Sequence, residues 1–181
     1  AGGAGKSSLV ARLSNQPFVA GREETAGVSV SETISFSDQN EFKFIFWDCA
    51  GQGLTYGLHR LFMGNRAIYL VLGKGVDAEE DLEHWHNIIS GYGSNKDDTP
   101  IIFVATHSDE AFKSARLQDS AWQRKFSLYK TAISIDSKSG TGIEELKQIL
   151  DQTAKEFISA SMPSKAETAA IESFRLKLVQ N

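Results

Sequence analysis

The chain has 181 residues, a length typical of one domain, and 41% of them are hydrophobic, which is enough for a sizeable core. Its net charge of −4 argues against nucleic acid as the main partner, and its single cysteine, Cys49, excludes an internal disulfide. The longest apolar run, Ala67–Leu72, is far too short to span a membrane, so we expect a cytoplasmic protein.

The first predicted element is a phosphate-binding loop that passes into a helix beginning near Ser8. Residues Ala1–Ser7 match the end of the motif G-x-x-x-x-G-K-[ST], whose backbone N–H groups point at an anion. Lys6 is expected to reach the β- and γ-phosphates, and the Ser7 hydroxyl to ligate Mg²⁺. The alternative is an ordinary glycine-rich turn before a helix. The predicted phosphate-binding residues are Gly2, Gly3, Ala4, Gly5, Lys6, Ser7 and Ser8.

The next segment, Thr25–Phe36, is predicted to pass from a loop into a strand because apolar residues alternate along it. A threonine hydroxyl at Thr25 can ligate Mg²⁺ while a γ-phosphate is present and leave when it is gone. Arg22, just before it, is placed to reach the oxygens where charge builds up as a γ-phosphoryl group leaves. The alternative for Arg22 is a solvated loop charge paired with Glu23 or Glu24.

A second strand is predicted over Phe42–Asp48, where phenylalanines alternate, and it forms a hairpin with the first. The pattern D-x-x-G-Q ends this strand. The Asp48 carboxylate can hold the Mg²⁺ shell, the Gly51 N–H can approach a γ-phosphate, and Gln52 can orient an attacking water. The alternative is an acidic turn after a strand.

A continuous apolar run, Ala67–Gly73, predicts a strand buried on both faces, and an apolar stripe along Ala78–Ile89 predicts a helix. A further buried strand is predicted over Pro100–Ala105. Strands that alternate with helices in this way indicate an α/β fold with a mostly parallel sheet and helices on both faces.

The sequence Thr106-His107-Ser108-Asp109 follows that strand at the place of an N-K-x-D guanine-binding motif. The Asp109 carboxylate can accept both adjacent donors of guanine, N1–H and N2–H₂, which adenine lacks. His107 can still stack on the base, whereas Thr106 replaces the usual asparagine and its amide. The alternative is a polar loop at a strand end.

The last predicted strand of the core, Lys130–Ile135, leads into Asp136-Ser137-Lys138-Ser139-Gly140 and an amphipathic helix over Gly142–Phe157. This loop is similar to the S-A-K loop that packs on guanine, so Ser137 and Lys138 are expected at the base. Asp136 stands where serine is usual.

Residues 161–181 are predicted to form a linker and a further helix. Pro163 breaks the chain, Ser164 and Glu167 form a capping-box pattern, and Ile171, Phe174 and Leu178 share one helical face. The helix either opens a following module or packs on the same domain.

Five motifs in this order make residues 1–157 similar to the Ras-like P-loop GTPases. T-H-x-D in place of N-K-x-D, and W-D-x-A-G-Q followed by His59-Arg60-Leu61-Phe62-Met63, resemble the Roc domains of Roco proteins. The resemblance implies a P-loop fold that binds GTP and GDP with Mg²⁺ and hydrolyses GTP slowly. Gln52 and Lys6 are then the expected catalytic residues, and Ser7, Thr25 and Asp48 the expected metal ligands. Arg22 is a further catalytic candidate, because its position three residues before Thr25 is similar to that of the switch I arginine in heterotrimeric G-protein α subunits.

The resemblance also implies a Roc-like domain over residues 1–160 and a COR domain that begins within residues 161–181. In this family a strand precedes the phosphate loop and lies between the strands Phe42–Asp48 and Ala67–Gly73. Because that strand is missing here, both neighbours are expected to lose their backbone partners. The whole protein is expected to be a multidomain signalling protein that forms a homodimer through the following domain and binds effectors or regulators.

Three alternatives stay open at this point. The chain could be a stand-alone Rab- or Ras-like GTPase, a GTP-dependent interaction module with little turnover, or a P-loop ATPase. The arginine that assists hydrolysis could also come from a second subunit or an activating protein.

Overall fold

The structure is a computed structural model, and it describes residues 5–21, 28–34, 42–49, 67–73, 77–92, 99–106, 119–161 and 172–179. Each strand and helix predicted before residue 158 occurs in it, with boundaries that differ by a few residues, and a short helix over residues 119–125 was not predicted. The elements in chain order are α1 (Lys6–Leu13), β1 (Val28–Ile34), β2 (Phe42–Cys49), β3 (Ala67–Gly73), α2 (Ala78–Tyr92), β4 (Ile101–Thr106), α3 (119–125), β5 (Tyr129–Ile135), α4 (Ile143–Ser161) and β6 (Glu172–Val179).

The described strands form one sheet in the order β1-β2-β6-β3-β4-β5. The predicted hairpin is confirmed, because β1 pairs with β2 antiparallel, with Val30 opposite Trp47. All other neighbours are parallel. The carboxyl ends of β2, β6, β3, β4 and β5 therefore meet at one edge of the sheet.

Helices cover both faces of the sheet, as the alternation of elements predicted. The strands β3 and β4 are buried along their whole length, which explains their uninterrupted apolar sequences. On one face, α1 and α4 pack on the sheet through residues such as Leu9 and Leu146. On the other face, α2 and α3 contribute Trp85 and Trp122.

The segment after α4 differs from its prediction. Glu172–Val179 is a strand, so the predicted helix is wrong there, and the sheet extends past the predicted boundary at residue 160. Two periodicities coexist in this sequence, because Phe174, Leu176 and Leu178 alternate as in a strand while Ile171, Phe174 and Leu178 have helical spacing. The extended form is favoured because it lets the backbone N–H and C=O groups of Glu172–Val179 hydrogen-bond with those of β2 and β3.

The expectation that β2 and β3 lose their partners is also wrong. The strand β6 lies between them and pairs with both, with Phe46 and Ile68 on either side of Leu176. The P-loop α/β fold is therefore present, and its central strand comes from the C-terminal part of the chain.

Candidate nucleotide-binding site

The carboxyl edge of the sheet gathers several of the predicted motifs. Asp48 lies near the end of β2, and Thr106 is the last residue of β4. Thr106 pairs with Ile135, the last residue of β5, so the start of the T-H-S-D sequence adjoins the loop that begins at Asp136. Ligands of open α/β sheets bind outside such carboxyl ends.

The described end of the phosphate loop is built around Gly5. Gly5 has φ of 81° and caps the N-terminus of α1, a left-handed conformation that glycine adopts without steric cost. Its carbonyl oxygen accepts a 2.8 Å hydrogen bond from the Leu9 N–H, which closes the first helical turn. Lys6, Ser7 and Ser8 thus occupy the first turn, whose N–H groups and dipole favour an anion.

Two residues assigned to the metal meet at this point. Ser7 Oγ donates a hydrogen bond of 2.5 Å to Asp48 Oδ2 across 41 residues of sequence. Asp48 is only 4% exposed and Lys6, the first residue of α1, only 8% exposed, so two buried charged residues lie at the start of α1. Charges in such a place act in a medium of lower dielectric constant than water.

These two oxygens suit Mg²⁺, which prefers hard oxygen ligands. Neighbouring ligands of an octahedral Mg²⁺ lie about 3 Å apart, so the two oxygens, now hydrogen-bonded at 2.5 Å, would need to separate only slightly to contact one cation. Ser7 and Asp48 can therefore face a single cation, with the remaining ligands supplied by other groups.

The loop over residues 136–142 is held by its own hydrogen bonds. The Lys138 N–H donates to Asp136 Oδ1 at 2.8 Å, and the Gly140 N–H donates to the Asp136 carbonyl oxygen at 2.8 Å. Asp136 therefore shapes the turn, a role that aspartate performs readily. Ser137 within it is buried, while the Lys138 side chain is exposed.

Glycines fix the path of this loop. Gly140 and Gly142 have φ values of 86° and 75°, and a Cβ atom on Gly142 would lie 2.2 Å from the Ser134 carbonyl oxygen. Only glycine fits so close to the end of β5. The spacing Gly140-Thr141-Gly142 is the sequence signal for this tight turn.

Sequence patterns did not predict the role of α1 and α4 in supporting the site. A Cβ atom on Gly140 would lie 2.4 Å from Arg12 Nη2, so the Arg12 guanidinium rests against the loop. Lys147 Nζ donates to Asn15 Oδ1 at 2.9 Å and joins α4 to the end of α1. Arg12 belongs to no motif, and no sequence signal marks it.

The structure describes part of the predicted site. Within its bounds are Gly5, Lys6, Ser7, Ser8, Asp48, Thr106, Ser137 and Lys138. It brings Ser7 and Asp48 into contact and places Thr106 beside the loop of Ser137 and Lys138. Outside the described residues lie Gly2, Gly3, Ala4, Arg22, Thr25, Gly51, Gln52, His107 and Asp109, whose roles stay predictions.

Comparison with known proteins gives a consistent result. The family described as "Ras of Complex, Roc, domain of DAPkinase" matches residues 1–109, which include the predicted motifs from the phosphate loop to Asp109. The probable serine/threonine-protein kinase pats1 of Dictyostelium discoideum is 31% identical over 112 residues, which are 58% of this chain and 3% of the kinase. The probable serine/threonine-protein kinase roco11 of the same organism is 29% identical over 180 residues, 89% of this chain and 12% of that protein.

A solved structure agrees in fold. The Methanosarcina barkeri Roco2 RocCORdC structure bound to GDP superposes with a TM-score of 0.70 and 28% identity, and the match covers 87% of this chain and 46% of that one. The chain thus spans only a small part of the curated kinases and about half of the solved protein. No helix in the described part of the chain has the length and apolar character that crossing a bilayer requires.

Proposed function

Because the chain belongs to the Roc family of GTPase domains, we propose that it binds GTP and GDP together with Mg²⁺ and hydrolyses GTP slowly. Membership of the family makes it a GTP-binding switch of the GTPase type.

The hydrogen bond between Ser7 and Asp48 is the observation that carries the proposal. It joins the first turn of a helix that follows a glycine-lysine-serine sequence to the strand end that carries D-x-x-G-Q. A phosphate-binding helix terminus beside a buried carboxylate is the arrangement that a nucleotide triphosphate and its cation need. An acidic turn or a glycine-rich turn alone would not bring these two side chains together.

Binding of the phosphates is assigned to the loop and the start of α1. The backbone N–H groups of Gly3–Ser8 and the Lys6 ammonium group neutralise the phosphate oxygens, and this charge stabilisation is stronger where water is excluded. Ser7, Thr25 and Asp48 would hold Mg²⁺, whose charge would offset that of the β- and γ-phosphates when bound.

Hydrolysis is assigned to residues that follow α1 and β2 in the sequence. Gln52 would orient the attacking water, and Thr25 and Gly51 would sense the γ-phosphate. Arg22 would stabilise the negative charge that develops as the γ-phosphoryl group leaves. Recognition of guanine is assigned to Asp109, with His107 stacked on the base.

We further propose that Thr106, Ser137 and Lys138 complete the base pocket. The pairing of Thr106 with Ile135 supports this, because it brings the two loops to adjacent strand ends. A cytoplasmic, multidomain Roco-type protein is proposed from the kinases that the chain resembles, with homodimerisation through a following domain and regulation by effector proteins.

The test is equilibrium binding of a fluorescent GDP analogue to the 181-residue chain, with Mg²⁺ or with EDTA, followed by competition with unlabelled GTP and ATP. We expect GTP to displace the analogue, Mg²⁺ to tighten binding, and a large excess of ATP to have no effect. Displacement by ATP at the concentrations that suffice for GTP would instead indicate an ATPase.

Turnover is measured separately, as single-turnover hydrolysis of GTP with enzyme in excess. A measurable rate that depends on Gln52 supports the switch with intrinsic hydrolysis. Tight GTP binding without hydrolysis would favour the interaction module instead.

A further inference from the structure

The place of β6 in the sheet is unusual for the last described strand of the chain. It runs parallel to β2 on one side and to β3 on the other, with Asp48 opposite Leu178 and Val71 opposite Val179. The strands β2 and β3 follow one another in the chain but do not pair with each other. They leave a space one strand wide at the centre of the sheet, and residues 172–179 fill it.

The direction of β6 brings its end to the candidate site. Since β2 and β6 are parallel, Leu178 lies near the same sheet edge as Asp48, its neighbour in register. Asp48 accepts the hydrogen bond of Ser7 in the first turn of α1. The carboxyl end of β6 therefore lies next to the end of β2, whose Asp48 contacts the residues assigned to phosphate and metal.

A phosphate loop is a strand–loop–helix unit, and here the helix and the end of the loop are α1 and Gly5. We infer that β6 is the strand of this unit, so that Glu172–Val179 and the segment that leads through Gly5 into α1 together form the phosphate-binding element. The inference deepens the proposed function and rests on it, because it names the segment that completes the site.

A permuted chain can test this assignment. When residues 172–181 are joined ahead of Ala1, the strand is followed by Asn181-Ala1-Gly2-Gly3-Ala4-Gly5-Lys6-Ser7, which has the length of G-x-x-x-x-G-K-[ST]. Asparagine then occupies the first position of the motif. Asparagine is the residue that, after glycine, most readily adopts left-handed backbone angles.

Docking of β6 and binding of nucleotide should therefore be linked. Separation of β6 would leave the backbone groups of β2 and β3 without strand partners between two buried cores. A nucleotide that binds only the complete loop stabilises the docked strand, and the docked strand tightens nucleotide binding by the same factor.

The first experiment moves residues 162–181 to a position directly before Ala1, so that the chain order becomes 162–181 followed by 1–161. We expect this permuted chain to melt cooperatively and to bind GDP as tightly as the original chain or more tightly. A non-cooperative melt, or a GDP affinity more than tenfold weaker than that of the original chain, overturns the inference.

The second experiment keeps the original order and measures backbone hydrogen exchange with and without GDP. We expect GDP to slow exchange both in residues 172–179 and in α1. The variant Leu176→Pro, which removes one strand N–H between Phe46 and Ile68, should lower GDP affinity at least tenfold. If GDP slows exchange in α1 but leaves exchange in residues 172–179 unchanged, docking of β6 and binding of nucleotide are not linked.

The third experiment asks whether β6 inserts into the sheet of its own chain or into the sheet of a second copy. A chain of residues 1–161 should lose GDP binding and regain it when a peptide of residues 162–181 is added. Light scattering of the full chain should give a monomer at micromolar concentration. A dimer that exchanges β6 between copies would overturn donation within one chain.

These results can be told apart from failure of the proposed function. If the original chain binds no GDP, the function fails, and the permuted chain still tests the place of β6 through its cooperative melt. If the original chain binds GDP and the permuted chain does not fold, the inference alone fails.

Discussion

Ser7 Oγ and Asp48 Oδ2 are 2.5 Å apart, and this contact ties the first turn of α1 to the carboxyl end of β2. The hydroxyl supplies a donor to a carboxylate that is only 4% exposed to water. The contact therefore holds both oxygens together at the start of α1, where phosphate and cation are proposed to bind.

Replacement of Ser7 by alanine removes this donor and the proposed metal ligand together. We expect Ser7→Ala to weaken GDP binding in Mg²⁺ by tenfold or more, since a hydrogen bond to a charged group contributes about 1.5–3 kcal/mol. The benefit of Mg²⁺ over EDTA should nearly disappear. The control is Ser90→Ala, the same change on an exposed face of α2. An undiminished response to Mg²⁺ would remove Ser7 from the metal site.

Replacement of Asp109 tests guanine recognition. Asp109→Ala should weaken GTP binding by about 1.5–3 kcal/mol for each hydrogen bond lost, as an upper range, and narrow the preference over ATP. Competition binding with both nucleotides measures this. Glu145→Ala, which removes an exposed carboxylate from α4, serves as the control. If Asp109→Ala retained wild-type affinity and still excluded ATP, the T-H-S-D assignment would be wrong.

Arg22→Ala should slow single-turnover GTP hydrolysis at least about tenfold while GTP and GDP affinities hold, because the contact forms mainly in the transition state. Arg124→Ala, on the exposed side of α3, is the matched control and should leave the rate unchanged. An unaltered rate in Arg22→Ala would identify Arg22 as surface charge and point to an arginine donated in trans.

Two glycines give opposite predictions for stability. Gly142→Ala places a Cβ atom 2.2 Å from the Ser134 carbonyl oxygen at a φ of 75°, and we expect a loss of at least about 2 kcal/mol. Gly91→Ala, in α2 with nothing within 4 Å of the new atom, should gain up to about 1 kcal/mol. Urea denaturation of both variants decides this, and a neutral Gly142→Ala would contradict the described loop path.

The ion pairs between α2 and α3 predict that the stability of the fold depends on pH. The hydrogen bond from Lys125, more than any other contact, holds the pKa of Glu79 below its ordinary value, and the hydrogen bonds to Glu79 and Glu83 raise the pKa of Lys125. A carboxyl group whose pKa is lower in the folded protein stabilises the fold at any pH above its unfolded pKa of about 4.3. This stabilisation is lost as the pH falls through the pKa that the group has in the folded protein.

We therefore expect Lys125→Met to be slightly less stable than wild type at pH 7, because exposed pairs contribute little. The difference should shrink as the pH falls below the pKa of Glu79. Thermal melts from pH 3 to pH 7 measure it, with Lys155→Met on α4 as the control. A constant difference across this range would show that the pairing has no role in stability.

Much of the fold was predictable because local pattern and tertiary environment agree. The apolar runs of β3 and β4 predict strands buried on both faces, and both are buried throughout. The stripe that includes Leu82 and Trp85 predicts the face of α2 that packs on the sheet. The glycine-lysine-serine sequence likewise predicts a helix start, and α1 begins at Lys6.

The remaining features depend on contacts that sequence order does not reveal. Helical and strand spacings both fit the segment of β6, and only the space between β2 and β3 selects the strand. The position of Arg12 against Gly140 depends on how α1 packs beside the loop, and no motif includes Arg12.

The central position of β6 has a consequence for how the chain folds. Phe42 pairs with Glu172, and Ala67 pairs with Arg175, so the contacts that complete the sheet span most of the sequence. Contacts between residues so far apart in sequence form late in folding, because a long loop must close before they can stabilise the structure. On the ribosome, the nascent chain would expose the facing edges of β2 and β3 until β6 emerges. Those two edges would be the sites at which chaperones or a neighbouring nascent chain could bind.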